Sequence, residues 1–422
     1  MSNFRSSIVT HNSRFLDFFS FFCPTLLLIQ FNLIGQLVLP EILLAIILLL
    51  LVPKKGILLL NKFPKTIMIL GIFWLFSQMV TDLIRTTPFD DLSRGWSKII
   101  FLLISFSSIY LLLINNYKRV FLYYLGTTIG MVLFYYTNSR YANEISQVRF
   151  TYTVLIFNTT ILVAIWSKTA HLLWPPLLFF VASFLLFLLD SRSMGGILML
   201  AGGYLYLCGN PKMQQWLKKH RSLPHLLIFT ILAGISAWFI IEAYGFAVTS
   251  GWFGEEAKEK YLVQTANSNI LIGGRSEILV SSQAIMDSPI IGHGSWAKSS
   301  NYFDLYLLYL QDMGKISHDA IEPLLRTEIP LIPTHSHLFG AWVEAGILGA
   351  IFWIWVLTLA LRLLYDLFGV KHQLLPLFTV VAINILWNIL FSPIDLRPLE
   401  GFQLALLIIG MQLTHNSKKY GK

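Results

Sequence analysis

The sequence predicts an all-α polytopic membrane protein with about twelve transmembrane helices, on three observations. Hydrophobic residues make up 55% of the 422 and charged residues only 13%, against about 25% charged in an ordinary soluble domain. Mean hydropathy is +0.66. Apolar runs recur along nearly the whole chain, close to the roughly 20 residues per helix that a bilayer core requires.

Taken in order, the runs fall near 16–35, 37–53, 66–84, 97–114, 119–137, 150–167, 172–189, 194–209, 224–245, 337–361, 374–391 and 401–414. The first two are nearly continuous, broken at Gly35-Gln36 and Pro40, and the eighth and twelfth are short. The polar start, Met1 to Arg14, leads into the first run without a small-residue cleavage site, which predicts an uncleaved first span. The chain thus divides into nine spans over 1–246, a long polar loop over 247–336, and three spans with a tail over 337–422. No internal repeat is visible, and no soluble domain beyond the loop.

Basic residues orient this map. Of 31 Lys and Arg, 18 fall on the side of the two termini and 7 on the short loops opposite; the other 6 lie in the long loop, which the positive-inside rule leaves out. Both termini are therefore expected in the cytoplasm and the long loop outside. The net charge of +9 is accounted for by such loops and gives no reason to expect nucleic acid. The two cysteines, Cys23 and Cys208, sit in apolar runs and form neither a disulfide framework nor a metal-ligand spacing.

Long connections without a functional purpose are uncommon. This one places Ile278, Leu279, Ser282, Ile285 and Met286 at helical spacing, predicting an amphipathic helix over Ser276–Met286 between Gly273-Gly274 and the turn residues Asp287-Ser288-Pro289. A second apolar run, Tyr302–Leu310, predicts another helix lying on the membrane face.

Several residues in and beside the loop could carry chemistry. Arg275 stands at the start of the amphipathic helix, where free N–H groups and the helix dipole favour an anion, and Gly273 and Gly274 would let a phosphate approach the backbone. A solvated arginine, or one paired with Glu277, is the alternative. Arg192, in the turn Asp190-Ser191-Arg192-Ser193, could hold a second phosphate oxygen or snorkel to lipid headgroups. His335 could act as a general base or merely stand at a helix start, with His337 two residues on. Glu344 is a carboxylate inside a span, where charge is expensive, and is expected to orient that helix or pair with a cation from another span. Asn384, Trp387 and Asn388 form a polar stripe suited to interhelical hydrogen bonds, and His293 has no partner that sequence identifies. There is no HExxH and no other metal-ligand spacing, so no metal and no cofactor are expected.

With these residues in view, GGRSEILVSSQAIMDSPIIGHGSW followed by THSHLFGAWVEAGILGAIFW resembles the core of the O-antigen ligase and Wzy-type polymerase superfamily. The DSRSMGG turn is similar to that family's outward arginine. His335 stands at the family's histidine position, with Ser336 where asparagine is usual and Phe339 where leucine is usual; Glu344-Ala345-Gly346 matches its Glu-x-Gly. The resemblance covers about Asp190 to Trp355. It implies a metal-independent, inverting GT-C-type glycosyltransferase in a bacterial inner membrane. Such an enzyme takes a glycan from undecaprenyl diphosphate and passes it to a glycan or lipid A-core acceptor at the periplasmic face. Arg275 and Arg192 would bind the diphosphate and His335 would be the base, with Glu344, His337, Gly273 and Gly274 in support. A twelve-span transporter or flippase of lipid-linked oligosaccharide would share the composition; such folds usually show matched halves, which are not seen here.

Overall fold

The computed structural model describes residues 13–33, 35–138, 148–166, 174–212, 214–215, 223–265, 273–316, 329–368 and 370–420. Among these the chain is almost wholly helical. The helices are α1 (Ser13–Thr25), α2 (Leu39–Lys55), α3 (Lys62–Arg85), α4 (Phe89–Leu113), α5 (Tyr117–Thr137), α6 (Thr153–Trp166), α7 (Trp174–Leu188), α8 (Arg192–Gly209), α9 (Leu223–Thr249), α10 (Glu255–Thr265), α11 (Glu277–Asp287), α12 (Ser300–Asp312), α13 (His337–Ala345), α14 (Ile347–Leu367), α15 (Leu375–Phe391) and α16 (Arg397–Tyr420). Among the described residues, five stretches are long and apolar enough to cross a membrane: Leu39–Leu60, Lys62–Arg85, Phe89–Leu113, Tyr117–Thr137 and Ile347–Leu367. Shorter apolar helices include Trp174–Leu188 and Leu375–Phe391. Large apolar side chains face outward: Leu49 is 75% exposed and Leu83 is 74% exposed, as expected of a surface solvated by lipid.

The interior is a continuous helix-on-helix core. α4 packs against α2 and α16, α14 against α3 and α15, and α15 against α8. Trp74 sits in the centre of it, 5.2 Å from the Phe352 ring and 5.9 Å from the Trp353 ring. Where α1 meets α5, Gly126 and Gly130 face the carbonyls of Phe21 and Pro24, and a Cβ at either position would overlap them. This is the small-xxx-small device by which membrane helices approach closely.

Two expected spans take a different form. The run 16–35 is helical only as far as Thr25; a 3-10 turn (Leu26–Leu28) and an antiparallel hairpin, Gln30–Leu33 paired with Gly35–Val38, follow. The hairpin is held from outside its own sequence: Arg397 donates to the Gln36 carbonyl and to the fully buried Glu41 carboxylate (Nη2–Oε2 2.8 Å), which also accepts the Val38 N–H. The run 337–361 is two helices, α13 and α14, parted at Gly346. There φ is +67°, and a Cβ would strike the Ile290 carbonyl. The two loop helices expected from periodicity are α11 and α12, and α10 is a third that periodicity did not mark.

Candidate functional site

The site is assembled at one end of the bundle, where the loop folds back between the helices. The stretch from Ser288 to Lys298 is clamped by α3 and α4. The buried Asp82 carboxylate accepts the Ser295 N–H at 2.6 Å, the Ser295 hydroxyl at 2.7 Å and the Trp96 indole N–H at 2.7 Å. Arg85 donates Nε (3.0 Å) and Nη2 (2.9 Å) to the Gly292 carbonyl, and Lys298 meets Asp91 at 2.7 Å. On its other side the stretch is laced to α13: His293 N–H donates to the Val343 carbonyl and Gly294 N–H to the Glu344 carbonyl. A backbone bonded on both sides and closed by a buried carboxylate is a rigid mount for what it carries.

The C-terminal turn of α15 is bonded by Arg275 and by Ser336 and His337, the two residues after His335. The last four carbonyls of any helix lack intrahelical partners and must be satisfied from outside. Arg275 Nε donates to the Phe391 carbonyl at 2.9 Å, the Ser336 hydroxyl to the Ile389 carbonyl at 2.6 Å, and His337 Nδ1 to the Asn388 carbonyl at 2.7 Å. Ser336 also caps α13 by accepting the Phe339 N–H, so this hydroxyl fixes the helix start two residues after His335. The segments 273–276 and 334–337 are thus brought to a common anchor.

Arg275 and His335 lie within electrostatic reach of one another. Burial, and then the Arg275 charge, hold the His335 imidazole below its ordinary value of 6.5, with Glu277 pulling the other way. His335 is therefore neutral, and able to accept a proton, at neutral pH. The guanidinium of Arg275 is itself partly desolvated, and a second bond runs from its Nη1 to the Gly274 carbonyl at 2.8 Å. Two of five N–H donors are engaged in this way. The Arg275–Glu277 contact is one of charge across the turn; the helix α11 begins at Glu277, two residues beyond Arg275. At Gly274 an added Cβ would meet nothing within 4 Å among the described residues.

The other candidates separate into distinct surroundings. Arg192 heads α8, where its Nε meets Asp190 at 3.2 Å, Nη1 donates to Gln264 at 2.5 Å, and its plane lies over the Tyr244 ring at 5.4 Å. Asp190 also pairs with Lys260, so this cluster ties α10 to the start of α8. Its Nη2 is buried without a hydrogen-bond partner, and among the described residues no hydrogen bond or ion pair joins Arg192 to Arg275 or His335. His337 is 1% exposed and rests on the Trp353 ring; its Nε2 lies 3.3 Å from Glu400 but off hydrogen-bond geometry. It anchors α13. Glu344 pairs with Lys98 on α4, the cation from another span that its position called for. His293 has a partner after all, the Ala284 carbonyl at 2.7 Å, and Asn388 reaches Gln403 on α16 at 3.5 Å.

Sequence reasoning missed Lys315. From the turn after α12 its ammonium donates to the Gly273 carbonyl and lies 3.2 Å from the Ser276 hydroxyl, against the same turn that carries Arg275. Tyr306 also joins the group, with its hydroxyl 3.4 Å from Glu277. In the sequence Lys315 belonged only to the long loop, and Tyr306 to the apolar run Tyr302–Leu310, where no local pattern marks it out. Among the described residues no group of three or more His, Cys, Asp or Glu side chains could hold a metal ion. In comparisons with known proteins no family model, no curated protein and no solved structure matches the chain.

Proposed function

We propose that this membrane protein is a metal-independent, inverting glycosyltransferase of GT-C type with about twelve spans. It moves a glycan from undecaprenyl diphosphate to an acceptor hydroxyl at the outer face of a bacterial inner membrane, as an O-antigen or surface-polysaccharide ligase or polymerase. The single observation that carries the reading is that Arg275, bonded to the Phe391 carbonyl at the end of α15, lies within electrostatic reach of His335, whose next two residues are bonded to the same turn. Of the residues that resemble the O-antigen ligase superfamily, Arg275 and His335 are neighbours, which supports the reading, while Arg192 and Glu344 stand in other surroundings.

In this reading the acceptor hydroxyl oxygen attacks the anomeric carbon from the face opposite the diphosphate. The new C–O bond forms as the old one breaks, the bonding pair leaves on the diphosphate oxygen, and the hydroxyl proton passes to His335. The charge developing on the leaving group is met by the uncommitted N–H donors of Arg275, preorganised by their anchor on Phe391. Arg192 is a second diphosphate contact in this reading, and reaches a phosphate only by releasing Asp190. His337 and Glu344 hold α13, and so position His335; Gly273 and Gly274 keep the turn open to a bulky phosphate. The polyprenyl diphosphate product then leaves sideways into lipid.

The test is incubation of the detergent-purified protein with a defined lipid-linked oligosaccharide. Transfer that disappears in Arg275→Ala and His335→Ala, while both variants stay folded, is the expected result. A ladder of longer products identifies a polymerase, and one discrete transfer to added core lipid a ligase. Full transfer by both variants would overturn the enzymatic assignment. Loss of oligosaccharide movement across sealed vesicles, without any transfer chemistry, would make the protein a transporter instead.

A further inference from the structure

The Gly273–Ser276 turn carries a second cation besides Arg275. Lys315 follows Gly314, whose φ of +70° lets the chain reverse after α12 and return towards the turn. Its ammonium is half-buried, and its hydrogen-bond partners among the described residues, the Gly273 carbonyl and the Ser276 hydroxyl, are both neutral acceptors. Neither neutralises it. The carboxylate nearby is Glu277, whose charge also acts on Arg275 and His335. Among the described residues one carboxylate therefore faces two cations, and with His335 neutral the turn carries an excess of positive charge beside Gly274. An unbalanced pair of donors of this kind suits a ligand with negative charge on two adjacent centres. The Arg192 cluster contrasts with it, since Asp190 already sits against that guanidinium.

We propose that Lys315 binds the donor's diphosphate together with Arg275, each cation taking one of the two phosphates. The proposal rests on the glycosyltransferase reading and names a residue that reading did not include. Lysine acts here as a point charge on a flexible stem, whereas Arg275 is fixed by its bond to Phe391; Lys315 can leave the Gly273 carbonyl for a phosphate oxygen without disturbing α15.

The experiment measures binding of undecaprenyl diphosphate and of undecaprenyl monophosphate to the purified full chain in nanodiscs. Lys315→Gln is expected to weaken diphosphate binding about tenfold and to leave monophosphate binding within about twofold, while Lys315→Arg retains most of the affinity. Diphosphate binding unchanged in Lys315→Gln overturns the proposal. Should that variant fail to fold, lysine-selective acetylation of the wild-type protein replaces it: undecaprenyl diphosphate should slow acetylation of Lys315 at least about threefold, and an unaltered rate overturns the proposal. The two readings fail separately. Transfer lost in Arg275→Ala with diphosphate binding untouched in Lys315→Gln removes Lys315 alone, whereas transfer intact in both Arg275→Ala and His335→Ala removes the glycosyltransferase reading.

Discussion

Arg275 and Arg192 are both arginines beside the start of a helix, yet their surroundings have little in common. Arg275 donates to two neutral carbonyls, one of them at the end of α15, and shares its neighbourhood with an imidazole and an ammonium. Arg192 meets a carboxylate, an amide oxygen and an aromatic face, and the same carboxylate takes Lys260. A guanidinium whose partners are neutral keeps its charge for a ligand; one already facing a carboxylate must give up that interaction first. The counter-charge around an arginine, more than its place in the chain, decides what it can do.

The largest expected effect breaks the comparison at its chemical end. His335→Ala and Arg275→Ala should each lower transfer by about a thousandfold or more, roughly 4 kcal/mol of transition-state stabilisation, with thermal unfolding in detergent showing the fold retained. Next comes Gly346→Ala. Strain at positive φ and overlap with the Ile290 carbonyl should cost at least about 3 kcal/mol. Hydrogen exchange should rise in α11 and α13 while α8 and α10 stay protected; a uniform rise would mean that the two regions are one cooperative unit.

Arg192→Gln should reduce transfer less, by about ten- to a hundredfold, and should loosen α10. A loss as deep as that of Arg275→Ala would erase the distinction between the two arginines. The smallest effect is a shift in pH dependence. His335 is held below 6.5, so transfer should be flat above that pH and decline only as pH falls through the lowered value. Glu277 is the group that raises it, so Glu277→Gln should move the acid limb further down, by less than about one unit. The same linkage fixes the stability trend: the unfolded chain takes up the His335 proton more readily, so folding free energy declines as pH drops below 6.5.

Much of the bundle was readable from the amino acids because hydropathy is a local signal. A run such as Phe101–Leu113 can only be buried or lipid-facing, and the amphipathic spacing of Ile278, Leu279 and Ile285 needs no partner to be recognised. Glu344 was readable for the same reason, since a charge inside a span demands a counter-ion, even though Lys98 could not be named in advance. The features that escaped are long-range or conformational. Gly346 looks like one small residue among several in an apolar run until its φ is seen. Glu41 and Arg397 are more than 350 positions apart and meet because α2 and α16 both pack on α4. Lys315 lies 42 residues from Gly273, beyond a helix, and no periodicity connects the two.

The α15 anchor has a consequence for how such a centre can vary over evolutionary time. The atoms that hold Arg275, Ser336 and His337 are peptide oxygens, which every amino acid supplies alike. Residues 388, 389 and 391 can therefore drift in identity without releasing those three grips, provided the helix still ends there. Because one helix carries all three attachment points, a tilt of α15 in the bilayer pulls on the Arg275 turn and on the start of α13 together.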